Sequence, residues 1–297
     1  MAQPHGAPEG TMSRLESALA LVTIVVATIG TGCRHHEEHA RVVAEPSARV
    51  ATPAAPSPST NMPEPPSPPP PPPPPAQVER LLVPGDLVAS VVRAKGGAPP
   101  TTVFMPGVCS NGGAYLQTFP EAARKQGGVV AIEGDRPCGD APGFRTFSWD
   151  AGRQHARVEA ALAAAGLVEI PPEGITLVGY SQGAALAEQM VERWPSRYTR
   201  VVLIGAPTDP SPRRLAQARA VVTMSCSLDV PARMRQAAQT ASRAGVPATY
   251  FEMPGCRHGN VADAENVFDR TFDWLRANER APDPRAAAVR IAGSDAS

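Results

Sequence analysis

Ile175-Thr176-Leu177-Val178-Gly179-Tyr180-Ser181-Gln182-Gly183-Ala184 is the stretch that decides the fold. Apolar and β-branched residues run into Gly179-Tyr180-Ser181-Gln182-Gly183, and an Ala-rich helical pattern follows from Ala184 to Trp194. The pattern predicts a strand, a sharp turn and a helix, with a serine at the turn. A serine there projects its Oγ away from the backbone, and its own backbone is strained. Small residues two positions before and two after let strand and helix pass close to it. The amides that open the helix face any carbonyl oxygen lying at Oγ. An ordinary βα turn with a serine N-cap fits the same local pattern, so a base and an acid must be sought elsewhere in the chain.

Working outward, strands are predicted at Leu87–Val92, Thr101–Met105, Val129–Ile132, Val201–Ile204, Ala220–Met224 and Ala248–Met253. Helices are predicted at Ala114–Gln126, Asp150–Ala165, Arg213–Ala218, Pro231–Ala244 and Val261–Ala277, with a Gly- and Pro-rich loop from Glu133 to Phe147. Strands and helices alternate, and several strands are continuous apolar runs, as when both faces of a sheet are covered. The expected fold class is α/β, with a doubly wound, mainly parallel sheet whose sites lie at the carboxyl ends of the strands.

The 297 residues carry 28 Lys and Arg against 28 Asp and Glu. This balance gives no basic excess and argues against nucleic acid as a partner. The 35 prolines are spread unevenly, concentrating between Pro46 and Pro75. That composition offers little to bury and predicts an extended, disordered linker over 34–76. One domain is expected over 77–278, and a disordered tail over 279–297.

Residues 1–33 read as an export segment: Arg14, an apolar stretch from Ala18 to Ile29, then Gly30-Thr31-Gly32-Cys33. The apolar core is short for a membrane span. Its end resembles the lipobox of bacterial lipoproteins, although Gly30 departs from the usual residue, and Met12 is an alternative start. The resemblance implies a cell-envelope protein cleaved before Cys33 and lipid-anchored there, with free secretion or an uncleaved single-span anchor as the alternatives. His35-His36-Glu37-Glu38-His39 formally matches H-x-x-E-H. The zinc chemistry of that pattern needs a rigid helix and a third ligand, and this copy, set between Cys33 and the proline-rich segment, reads instead as a solvated charged linker. No Cys-x-x-Cys pair occurs, so neither a zinc-type metal site nor thioredoxin-like chemistry is expected.

A serine hydroxyl becomes a nucleophile only when a base takes its proton, and the base needs an orienting carboxylate. His258 is the one histidine after Ser181 and lies between the last predicted strand and the last helix. Candidate acids are Asp229, between a strand and the helix opened by Pro231, and Asp209, one strand earlier. His155, on a helix before Ser181, reads as a surface residue. Asp135 precedes the serine.

With these residues the chain resembles the small α/β-hydrolases: cutinases, dienelactone-hydrolase-like proteins and carboxylesterases. Gly-Tyr-Ser-Gln-Gly is a familiar nucleophile turn among them, and the order serine, acid, histidine is theirs. The resemblance spans Leu82 to Leu275. It implies Ser181 as nucleophile, Asp229 as acid and His258 as base. It also implies an oxyanion hole from the amides of Gln182 and Val108, or of Cys109 in place of Val108. Relatives often carry His-Gly where this chain has Pro106-Gly107. No long insertion follows Ile204, so no large lid domain is expected. Phe144, Phe147 and Trp149 are candidates for a substrate wall, or for filler beneath a long loop.

The family topology further implies neighbouring strands before Cys226 and Cys256. A Cys226–Cys256 disulfide follows from it, and with it Cys109–Cys138, as suits an oxidising compartment. The implied activity is a serine esterase acting without a cofactor on a small-molecule or polymer ester, or on a thioester, through an acyl-enzyme. A peptidase, an acyltransferase, or a non-catalytic lipid-anchored envelope protein with the same fold are the alternatives.

Overall fold

The computed structural model describes residues 74–140 and 142–281. The export segment with Cys33, the His35–His39 string, the linker up to residue 73 and the tail from residue 282 lie outside the described residues.

In chain order the elements are β1 (Glu79–Leu81), β2 (Ala89–Val92), β3 (Thr102–Met105), α1 (Gly112–Leu116), α2 (Pro120–Lys125), β4 (Val129–Ala131), β5 (Arg136–Pro137) and β6 (Arg145–Thr146). They continue with α3 (Ala151–Ala164), β7 (Ile175–Tyr180), α4 (Gln182–Arg193), β8 (Tyr198–Ile204), α5 (Pro212–Leu215), β9 (Ala220–Cys226), α6 (Pro231–Arg243), β10 (Ala248–Met253) and α7 (Ala264–Asn278). Eight strands form one sheet in the order β1-β2-β4-β3-β7-β8-β9-β10. β1, β2 and β4 pair antiparallel, and from β4 to β10 every pairing is parallel.

The strand alternation sorts the core into two layers. Val103 and Met105 face one side with Leu177, Val201 and Leu203, where α3, α4 and α6 deliver Leu162, Leu186, Met190 and Met234. Phe104, Val178, Val202 and Ile204 face the other, where α1, α2 and α7 deliver Leu116, Ala122, Phe268 and Phe272. Burial on both faces leaves β7, β8 and β9 buried at every position and makes them mainly apolar.

Three local expectations change. The helix expected over 114–126 is two, because Pro120 opens α2 and the preceding Phe119 sits outside the helical region at φ −143°, ψ 46°. The loop expected over 133–147 contains the β5–β6 hairpin. The ordered chain also passes the expected end at Asn278. Glu279 pairs with Arg200 and Arg219, and the Arg280 guanidinium donates to the carbonyls of Ala216 and Ala218. Those charges read as a solvated tail in sequence; the arginines and carbonyls that hold them lie far away in the chain.

Candidate active site

β7 ends at Tyr180 and α4 begins at Gln182, so the whole change of direction falls on Ser181, at φ +51° and ψ −113°. Such a backbone is costly for a residue with a side chain and persists only where its surroundings over-determine it. Here the Ser181 amide donates to the Ile204 carbonyl at 2.8 Å, which ties the turn to β8. A Cβ on Gly179 would collide with the Gly183 backbone, and one on Gly183 with the Met105 carbonyl at the end of β3. Both glycines are therefore needed for close approach.

Ser181 does not cap α4 with its side chain. Its hydroxyl instead lies 3.0 Å from His258 Nε2, and His258 Nδ1 lies 2.8 Å from an Asp229 carboxylate oxygen. The three side chains come from loops at the carboxyl ends of β7, β9 and β10. Asp229 is not the cap of α6, which is Val230. Gly205, at φ +51° after β8, makes room for the pair: a Cβ there would lie 3.1 Å from Asp229 Oδ2 and 3.2 Å from His258 Cε1.

The other acid candidates are engaged elsewhere. Asp209 is exposed and accepts from Arg233 at 3.1 Å. Asp135 accepts from the Ser148 amide and hydroxyl and from Gln154, and pairs with Arg153. Burial alone would raise its pKa, but these hydrogen bonds win and hold it at about 2. His155 is not a free surface residue: it stacks on Trp194 and meets the Tyr198 hydroxyl at 2.6 Å. Burial against these rings lowers its pKa.

The loop after β3 passes directly over Ser181, since a Cβ on Gly107 would lie 3.1 Å from Ser181 Cβ. Val108 follows at once. Cys109, at φ +51°, is bonded to Cys138, and Ser110 exchanges two backbone hydrogen bonds with Arg145. The Gln182 amide opens α4, where a first-turn N–H has no acceptor within its own helix. Cys226 and Cys256 form the second disulfide, with Cα atoms 5.0 Å apart, at the Cys226–Met253 register of the neighbouring strands β9 and β10.

Several supporting residues escape sequence reading. The Gln182 side chain is buried and bonds the Phe147 amide and carbonyl and the Thr146 hydroxyl, fixing the loop that follows the hairpin. Glu133 accepts from the amides of Gly112 and Gly113 and steadies the chain just beyond the Val108 loop. Burial pushes its carboxyl up while those amides oppose the shift. Nothing in the local sequence marks either contact, because each partner is more than 15 residues away.

Of the three aromatics proposed as a wall, Phe147 is buried, whereas Phe144 and Trp149 are exposed. Phe144 lines a hollow of about 520 Å³ with Val108, Asn111, Tyr115, Asn260 and Val261. A second hollow of about 530 Å³ lies away from the serine, between α6 and β10. Among the described residues, five of the seven large exposed hydrophobics (Val108, Phe144, Trp149, Leu228 and Val230) sit on the loops around Ser181. No extended segment covers the site from the short β8–α5 connection.

The strand order, the positive-φ serine between β7 and α4, and the loop positions define an α/β-hydrolase fold. No family model matches the chain, and no curated protein matches it in sequence. Solved structures match it in fold. Carboxyl esterase 2 of the mycorrhizal fungus Tuber melanosporum aligns with a TM-score of 0.51 at 13% identity, over 74% of this chain and 90% of that one. The 2-hydroxy-6-oxo-6-phenylhexa-2,4-dienoate hydrolase of Rhodococcus sp. strain RHA1 aligns with a TM-score of 0.50 at 12% identity, over 68% of this chain and 99% of that one.

Proposed function

We propose that this chain is a serine hydrolase that cleaves a carboxylic ester or thioester through an acyl-enzyme at Ser181. The observation that carries the proposal is the continuous relay from Ser181 Oγ through His258 to Asp229. Ser181 attacks the carbonyl carbon as His258 takes its proton, and the Gln182 and Val108 amides receive the oxyanion. The ester or thioester bond breaks as His258 returns that proton to the leaving alcohol or thiol. Water then repeats the sequence and releases the acid. The apolar rim supports an ester with an apolar group on at least one side of the carbonyl.

An active-site-directed fluorophosphonate is expected to label one residue, Ser181, with loss of ester turnover in step with labelling. A folded, unlabelled protein would sink the proposal in favour of a non-catalytic role. Faster turnover of peptides than of esters would move it to peptidase chemistry.

The acid can be tested separately. Asp229→Asn is expected to lower kcat by roughly a thousandfold or more, because the histidine loses the partner that fixes its tautomer. Asp209→Asn is expected to leave kcat within about twofold. Steady-state kinetics of the two variants decide it, and the reverse ranking would move the acid to the β8–α5 connection.

Two disulfides suit an oxidising compartment, and we propose that the domain is exported and held to a membrane through Cys33. Cys33→Ser should then leave the protein unprocessed or release it from the membrane fraction. Membrane retention with normal processing would exclude the anchor.

A further inference from the structure

His258 stands on an exposed loop, and its own side chain is 45% exposed. Burial therefore does little to hold the imidazole in place, although a base must be held within a few tenths of an ångström of its working position. Before the histidine, the loop is fixed to the acid loop by the Cys226–Cys256 bond, by the Leu228 amide on the Cys256 carbonyl and by the Gly255 amide on the Ser227 hydroxyl. After the histidine there is no comparable covalent tie. Two tyrosines meet the chain there instead.

The Tyr180 hydroxyl accepts from the Gly259 amide at 2.7 Å and donates to the Asn260 carbonyl at 3.3 Å. The Tyr115 hydroxyl donates to the Gly259 carbonyl at 2.8 Å. Both polar groups of Gly259, the residue next to His258, are thus held by phenols. The rings form a continuous series: Phe104 lies 5.4 Å from Tyr115, Tyr115 stacks on Tyr180 at 5.2 Å, and Tyr180 meets the His258 imidazole edge-on at 5.5 Å. Tyr180 is fully buried and immediately precedes Ser181. One residue therefore carries the nucleophile on its backbone side and holds the base loop with its side chain.

We infer that Tyr180 and Tyr115 are positioning residues, a phenolic clamp on Gly259 that sets the distance and angle of His258 to Ser181. The inference rests on the proposed hydrolase chemistry for its consequence, but not for its geometry. Burial raises the pKa of both hydroxyls, so Tyr180 remains an O–H that can accept from one group while donating to the next. A phenylalanine would keep the ring stack and lose only these bonds. Tyr115 also lines the hollow beside Val108, so its loss affects both positioning and substrate fit, whereas loss of the Tyr180 hydroxyl affects positioning alone.

The test uses the full chain, with Tyr180→Phe, Tyr115→Phe and the double variant, and two readouts. The first is the second-order rate of fluorophosphonate labelling, with kcat and KM for a chromogenic ester. Tyr180→Phe is expected to lower labelling and kcat together by roughly tenfold or more with KM little changed; Tyr115→Phe should lower kcat and change KM. The second readout does not depend on turnover: protection of the His258 Nδ1 proton from water exchange by NMR, assigned by its loss in His258→Gln. Each Tyr→Phe change is expected to speed that exchange. Wild-type labelling rates and unchanged exchange in folded single and double variants would overturn the clamp. An unlabelled wild-type protein whose imidazole proton is protected, and loses protection in the variants, would refute the hydrolase reading and leave the clamp standing.

Discussion

Ser181→Ala is expected to lower ester turnover by at least about a thousandfold, with the domain still folded and both disulfides intact. The size follows from the proposed mechanism, in which His258 and Asp229 act only by moving the Ser181 proton, so that removing the oxygen would disable all three groups at once. The amides of Gln182 and Val108 would remain to polarise a carbonyl, and so would account for any residual rate over water. The strain at Ser181 is part of the expectation. Alanine at φ +51° is no more comfortable than serine, and it loses the contact with His258 that helps to hold the turn. Turnover within tenfold of wild type in a protein verified by mass spectrometry would refute Ser181 as the nucleophile.

Gly183→Ala should have the second-largest effect, and through a different cause. A Cβ on Gly183 would overlap the Met105 carbonyl and stand 2.7 Å from the Pro106 carbonyl oxygen. Both are backbone atoms, one at the end of a central strand and one in the loop that carries Val108, so neither can swing aside as a side chain would. Relief requires α4 to move away from β3. The expected cost is about 3 kcal/mol or more, or a Tm lower by roughly 10 °C for a domain of this size. Because the shift separates the Gln182 amide from the Val108 loop, kcat should fall by a further hundredfold or so even at temperatures where the variant is folded. Thermal unfolding and low-temperature kinetics test the two parts independently. A variant with the wild-type Tm would mean that α4 does not pass as close to β3 as described.

The two changes, two residues apart, act through different causes. Ser181→Ala removes chemistry from an intact frame, while Gly183→Ala disturbs the frame that aims the chemistry. Their separation is measurable as a loss of turnover without loss of stability in one case, and loss of both in the other.

The amino-acid sequence by itself determined those parts of the protein that depend on near neighbours in the chain. A strand, a glycine, a serine, a second glycine and a helix occupy one short segment, so the turn at Ser181 was legible from local periodicity and small residues. His258 was legible because no other histidine follows the serine. The parallel sheet was legible because burial on both faces writes strands as apolar runs. Tertiary structure decided what depends on residues distant in sequence. Asp229 and Asp209 each follow a strand and read alike; they differ only in that one faces His258 across Gly205 while the other pairs with Arg233 at the surface. The burial of the Gln182 side chain against Phe147, the Glu133 carboxylate on the Gly112 and Gly113 amides, and the two phenols on Gly259 leave no local pattern, because each is a contact across tens of residues. Glu279 and Arg280 look like solvated tail for the same reason. Periodicity records which face of an element meets the core; it carries no record of which polar group on another element will satisfy a given donor, and that is settled only when the sheet brings its carboxyl-end loops together.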